Sequence, residues 1–368
     1  MKSLALSLLL FVVFSPGAVW VQGGEGKSDV EKAGLKGRVK SVEVSRVEYA
    51  LKDGRSVEAR RTPFRKTIYD EQGRRVEEVT YGQAGSVSQR LVYTYDAEGR
   101  NTGYEEYSSL VDKSLSKPRR HVYALDGAGR MVEYTVYESD GSAGSRFTYA
   151  YDAAGNKTEE AFYSWQGVLR GRLVYAYDAR GNVLTQTSYD AGDAVSWKDV
   201  NVYDAEGRKT ESAQYHGDKL RYRFFYKYDA KGRQKEVETR EFDALPDLRP
   251  SHAPEPGRVV YTYDDEKRTK DVAAYDERGV LKSRLLYSLD ETLNGGGATE
   301  LNADGSVKSK ELRWYDKDVP VGTLSGTPTA ELAHDERGNW TRRTFLLKPA
   351  GAESAEPYWA EFRVIVYY

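Results

Sequence analysis

Along most of the chain apolar and polar side chains alternate with a period of two, as in Arg223-Phe224-Phe225-Tyr226-Lys227-Tyr228, and Tyr, Val and Thr fill these stretches. That pattern predicts half-buried β-strands. The strands are punctuated by Tyr69-Asp70, Tyr95-Asp96, Tyr151-Asp152, Tyr177-Asp178, Tyr203-Asp204, Tyr228-Asp229, Tyr263-Asp264 and Tyr315-Asp316, with Leu125-Asp126 and Leu289-Asp290 filling the gaps. Steps between first residues are 26, 30, 26, 26, 26, 25, 35, 26 and 26, so one unit recurs with two insertions. A fixed period of this kind marks a repeat architecture.

With the first residue of each pair as position zero, Gly stands at position four, from Gly73 and Gly99 to Gly207 and Gly232, and Arg or Asn follows it. Asp-x-x-Gly suits a type I turn, so a three-residue hairpin loop with a G1 bulge is predicted. A second turn, near Gly85, Gly141, Gly167, Gly192, Gly217 and Gly279, falls halfway through each unit. Each unit is therefore one hairpin of two strands, each of about nine residues and about 30 Å. The predicted fold class is all-β: a long antiparallel meander of repeated β-hairpins, roughly twenty strands, twisted or coiled into an open sheet.

The hairpin also predicts faces. With position zero opposite position six, positions −2, 0, 8, 10 and 12 are expected to share a face. Tyrosines recur there at −2 (Tyr93, Tyr123, Tyr149, Tyr175, Tyr226, Tyr261, Tyr287) and at 12 (Tyr81, Tyr107, Tyr137, Tyr163, Tyr189, Tyr215, Tyr275). Glu77, Glu133, Glu159 and Glu211 occupy position 8, which places Glu159 beside Tyr149 and Thr185 beside Tyr175. The other face carries small or β-branched residues such as Val92, Thr94, Ala150 and Ala176, suited to a second layer or to solvent. A basic column runs at −5 through Arg90, Arg120, Arg146, Arg172, Lys198, Arg223, Arg258, Arg284 and Lys310.

Residues 1–23 have the form of a secretory signal: Lys2, an apolar run from Leu4 to Phe14, then Ser15-Pro16-Gly17. The run is too short to span a bilayer comfortably, although a retained anchor is the alternative. A flexible linker is expected at 24–34, a capping hairpin at 35–68, the repeat array at 69–340 with loop insertions at 108–120 and 243–257, and capping strands at 341–368. Terminal units of repeat arrays are commonly atypical because they close the ends.

Composition narrows the chemistry. Aromatics number 6 Trp, 29 Tyr and 10 Phe, so the dominant ring is the one that tolerates water. A net charge of −2 removes the bulk pull toward nucleic acid or anionic membrane. With 0 Cys, disulfides, thiolate metal sites and cysteine nucleophiles are excluded, and so is lipoprotein-type acylation. His121, His216, His252 and His334 lack metal-ligand spacing, and neighbouring glutamates such as Glu77-Glu78 and Glu159-Glu160 point to opposite faces of their strands. The expectation is a non-enzymatic protein with no cofactor, no metal, no nucleic-acid partner and no transmembrane segment in the mature chain.

The recurring Tyr-x-Tyr-Asp-x-x-Gly-[Arg/Asn], as in Tyr93-Thr94-Tyr95-Asp96-Ala97-Glu98-Gly99-Arg100 and Tyr175-Ala176-Tyr177-Asp178-Ala179-Arg180-Gly181-Asn182, resembles the YD repeat of the Rhs and teneurin families. The resemblance covers nearly all of Tyr69 to Trp340. It implies a hairpin-repeat sheet, an exported or cell-surface location, and roles in carbohydrate binding, cell contact or enclosing a toxin. The large Rhs proteins carry an Asp-Pro self-cleavage motif and a C-terminal toxin, and this chain has no Asp-Pro dipeptide.

Two surfaces are candidates for binding. Tyr149, Glu159, Tyr175, Tyr163 and Tyr189 combine aromatic faces with a carboxylate, the chemistry of glycan recognition, while cross-strand aromatic pairing alone also explains them. Arg146, Arg172, Lys198 and Arg223 form a ridge suited to sulfated or phosphorylated polymers, or alternatively ion pairs with nearby glutamates. The leading expectation is an exported binding protein for a carbohydrate or envelope component. The alternative is a structural or protein-interaction shell component using sheet edges near Val39 and Val364 and its loops. A glycan hydrolase, the third reading, requires two carboxylates on one face of a cleft.

Overall fold

A computed structural model describes residues 27–52, 55–82, 84–109, 115, 117–242, 256–288, 297–302, 306–312, 327–348, 354 and 356–368. The expected signal segment, the Pro-rich stretch 243–255 and the expected turn at Tyr315-Asp316 lie outside these residues. Among the described residues 23 strands form a single antiparallel sheet, and the one helix is the turn Asp29–Lys32. No helix among the described residues is long and apolar enough to cross a membrane.

The meander is built from the predicted turn. At Asp70 the backbone N–H bonds the Arg74 carbonyl at 2.9 Å and the Gly73 N–H bonds the Asp70 carbonyl at 3.0 Å, with Gly73 at φ 77°. That is the type I turn with its G1 bulge. Each side chain of the motif has a scaffold task. The Asp96 carboxylate accepts the Arg100 N–H at 2.8 Å through one oxygen and the Arg100 Nε at 2.6 Å through the other. Asn in place of Arg makes the same clasp, as Asn182 does on Asp178 at 2.8 Å. The position-zero tyrosine ties one unit to the one before it: Tyr95, Tyr151, Tyr177 and Tyr228 donate to the carbonyls of Arg75, Met131, Lys157 and Lys209 at 2.6–2.8 Å. Arg74, Arg130, Arg208 and Arg233 then cover the next unit's tyrosine at 4.2–5.2 Å. Each such hydroxyl bond contributes about 0.5–1.5 kcal/mol and each exposed cation–π contact about 0.5–1 kcal/mol.

At the second turn the structure departs at one site. The loop after Asp190 takes its positive φ at Asp193, at 63°, rather than at Gly192.

The termini meet instead of capping opposite ends. The first strand, Val39–Lys52, pairs on one side with Arg55–Tyr69 and on the other with the last strand, Glu356–Tyr367. Val39 lies opposite Tyr367 and Glu43 opposite Val364, so the edges expected near Val39 and Val364 are paired. Pairing is the direct way to cover an exposed strand edge. Asn339, 2% exposed, staples this seam: its amide bonds the Lys36 N–H at 2.7 Å, the Lys36 carbonyl at 2.9 Å and the Tyr367 hydroxyl at 2.7 Å. Residues 29–32 are not linker. Ser28 and Glu31 form a capping box, Val30 docks by its N–H on the Gly73 carbonyl, and Val30, Leu35, Val39, Val42 and Tyr69 make a small core. Such a box satisfies the free N–H groups at a helix start.

Among the described residues the sheet is left open at Val307–Leu312, which pairs only with Gly297–Leu301, and at Thr327–His334, which pairs only with Trp340–Lys348. Pro328 in the second of these cannot donate to a ladder, which suits an edge.

Candidate functional site

Face assignment depends on one register detail. Tyr151 lies opposite Lys157, but Ala150 lies opposite Glu159, so Thr158 is skipped. The same skip follows Tyr95, Tyr177, Tyr203 and Tyr228. One residue is enough to invert parity along the second strand. Positions 9 and 11 therefore share a face with −2 and −4, while 8, 10 and 12 share the other face with −5, −3 and −1. The expected grouping of Tyr149 with Glu159, Tyr163 and Tyr189 is corrected accordingly: Tyr149 pairs with Glu160, and Tyr175 pairs with Gln186 rather than Thr185.

The first face is aromatic. Tyr104 stacks on His121 at 4.1 Å and Tyr134 on Phe147 at 5.8 Å, while Tyr123 meets Tyr134 at 5.5 Å and Phe147 meets Phe162 at 4.9 Å with their rings tilted. His121 is buried between the Tyr134 hydroxyl at 2.7 Å and Glu106 at 3.1 Å, and its hydrogen bond holds Glu106 below the usual carboxylate range. Further along, Lys157 reaches over Tyr149 at 5.6 Å and Tyr175 at 5.3 Å while donating to Glu160 at 2.7 Å. Burial raises the Tyr149 phenol, with the Glu160 charge adding to it, and pushes Tyr175 up to about 12. Both rings are only partly covered. Glu160 was missed from the sequence because the skipped residue hides its face, whereas Lys157, at position six, lies opposite Tyr151 as expected.

The second face is a ladder of neutralised charge. Arg146 reaches Glu133 at 3.3 Å and lies over Tyr163 at 4.2 Å; Arg172 reaches Glu159 at 3.4 Å and Asp193 at 3.1 Å and lies over Tyr189 at 4.3 Å. Arg223 reaches Glu211 at 3.6 Å, and Lys198 pairs in register with Tyr215. Beneath these cations position 10 is small, and Ala161 and Ala213 are 2% and 5% exposed. Three of the four expected ridge cations are thus committed to carboxylates of neighbouring strands. On this face Thr94, Ala150 and Ala176 are exposed, and no second layer among the described residues covers them.

Glu159 and Glu160 face opposite ways, as the strand period requires, and no three His, Asp or Glu side chains among the described residues converge as a metal site. Two grooves of about 520 and 460 Å³ open between consecutive Tyr-Asp turns, but Asp152 and Asp178 on their walls already clasp Asn156 and Asn182.

No family pattern matches the sequence, and no curated protein matches it. Among solved structures, similarity is found to a TcdB2-TccC3-Cdc42 complex, at 11% identity and TM-score 0.31 over 85% of this chain. The chain spans only 20% of that chain. It is also similar to a porin-like protein from Bacteroides uniformis (11% identity, 89% of this chain and 96% of that one, TM-score 0.20). Transferrin Binding Protein B from Haemophilus parasuis is a third (8% identity, 90% and 76%, TM-score 0.17). Likeness this weak carries no argument about the role of this chain.

Proposed function

We propose that the protein is an exported, non-enzymatic repeat-sheet protein that binds a carbohydrate of the envelope or extracellular surface on its aromatic face. The observation that carries this reading is the set Tyr149, Lys157, Glu160 and Tyr175: two partly exposed rings with a lysine–glutamate ion pair between them. Binding sites combine apolar and aromatic walls with a few convergent polar groups.

The test is a glycan array probed with the full chain and two double variants, each confirmed as folded by circular dichroism. Tyr149→Ala/Tyr175→Ala is expected to lose binding by at least about tenfold, the effect of losing about 1.4 kcal/mol. Tyr163→Ala/Tyr189→Ala, on the other face, is expected to bind like the parent. Absence of binding by the parent, or equal loss in both variants, refutes the reading.

A further inference from the structure

Two columns of the aromatic face depart from their pattern in the unit of Tyr203. Position −4 is apolar or aromatic at Leu91, Phe147, Leu173, Phe224, Val259 and Leu285, polar at Arg65 and His121, and a carboxylate at Asp199. Position −2 is tyrosine in every other unit from Tyr93 to Tyr287, yet the same unit has Asn201. Asn201 is accounted for: buried, it donates to the Val183 carbonyl at 2.9 Å and accepts from Ser212 at 2.9 Å. Asp199 is not. Half-buried, it forms no hydrogen bond or ion pair among the described residues, and burial raises its carboxyl above the ordinary value against the opposing Lys209 charge.

Register places Asp199 between two amides. Gln186 is its partner on one neighbouring strand and Gln214 its partner on the other, and the row runs on to Tyr175 on one side and to the buried Tyr222 and then Glu241 on the other. Trp197 stands two residues from Asp199 on the same face and is partly exposed. Adjacent strands lie about 4.8 Å apart, so Gln186 to Gln214 spans about 10 Å, the scale of one or two sugar rings. A half-buried carboxylate without a partner costs folding energy, and such a group calls for an explanation outside the fold.

We propose that Gln186, Asp199 and Gln214 form a subsite for a neutral saccharide, flanked by Tyr175 and Trp197. The Asp199 carboxylate accepts sugar hydroxyls, and the two amides offer donors and acceptors on either side. The aromatic side chains supply apolar surface for ring faces. An anionic sugar is disfavoured by the carboxylate, and a cationic one by the nearby Lys209 charge. The inference rests on the carbohydrate reading above and names where, and for which class, it is decided.

The test titrates the full chain with three probes: tri-N-acetylchitotriose, cellotriose and trigalacturonate. At least one neutral trisaccharide is expected to bind, with trigalacturonate at least about tenfold weaker. Asp199→Asn and Gln214→Ala are each expected to weaken that binding by about tenfold or more, the first by removing a charge-assisted acceptor and the second an amide hydrogen-bonding group. Thermal melting of Asp199→Asn is expected to be unchanged or raised, which separates a recognition role from a structural one. Binding that depends on Tyr149 and Tyr175 but is unaffected by both of these variants overturns the subsite and leaves the carbohydrate reading intact. A preference for trigalacturonate overturns the subsite as well. Absence of any saccharide binding by the parent overturns both.

Discussion

Glu361→Ala is expected to destabilise the protein by about 3–5 kcal/mol, the usual cost of removing one partner from a buried ion pair. Glu361 is 5% exposed and sits between its register partners on the two adjoining strands, Arg46 and Arg343. Its carboxylate lies 2.7 Å from Arg343 and 3.4 Å from Arg46. Two residues further on, Arg363 stacks on Trp340 at 3.4 Å, and burial pulls its guanidinium down to about 10. Without Glu361 these buried cations face one another with that negative charge gone. The comparison is Glu206→Ala, whose partner Arg208 it meets at 3.1 Å with 65% of its own side chain exposed, expected to cost less than about 1 kcal/mol. Urea unfolding of both variants checks the contrast, and equal losses contradict it. A large loss at Glu361 also reports on the seam, since this residue joins the first strand to the last two.

Gly103→Ala is expected to cost about 3 kcal/mol or more, through a backbone conformation that disfavours any Cβ. Gly103 has φ 145°, and a Cβ built there overlaps the His121 carbonyl oxygen and lies 3.0 Å from its carbon and 3.2 Å from the Val122 Cα. These are main-chain atoms of the neighbouring strand, which have no rotamer to escape into. Gly141→Ala is the control: its φ is 87° but its Cβ meets nothing within 4 Å, so only the left-handed penalty of about 1–2 kcal/mol is expected. Denaturant midpoints for the two variants decide the matter. If Gly103→Ala is no worse than Gly141→Ala, the close approach of these strands is wrong.

Repetition made the fold readable. The Asp-x-x-Gly turns, the hairpin per unit and the open antiparallel sheet all follow from residues whose local preference agrees with their tertiary role, as Asp96 and Arg100 illustrate. Two things escaped a local reading. The union of Val39–Lys52 with Glu356–Tyr367 depends on residues more than 300 positions apart, such as Lys36 and Asn339, and no short-range pattern encodes it. The faces were misassigned beyond each turn because the bulge near position seven carries no residue signature: Thr158 and Leu184 share no side-chain feature that marks them as skipped. That single parity error paired Tyr149 with Glu159 and concealed Glu160. Asp199 and Asn201 were visible in the sequence as departures from their columns, and Gly103 as a glycine where most units carry Glu, Asp or Thr. Their meaning needed the register.

Both the scaffold account and the proposed binding face rest on that register, and a chain without cysteine allows it to be tested directly. Facing residues on antiparallel strands have Cα separations of about 4.5–5.5 Å, within disulfide range. The measurement is oxidation of two double-cysteine variants, read by mass spectrometry after proteolysis. Ala150→Cys/Glu159→Cys is expected to form the intramolecular disulfide, and Tyr149→Cys/Glu159→Cys to remain reduced. Closure of the second pair with the first left open would put Glu159 back beside Tyr149 and contradict the account.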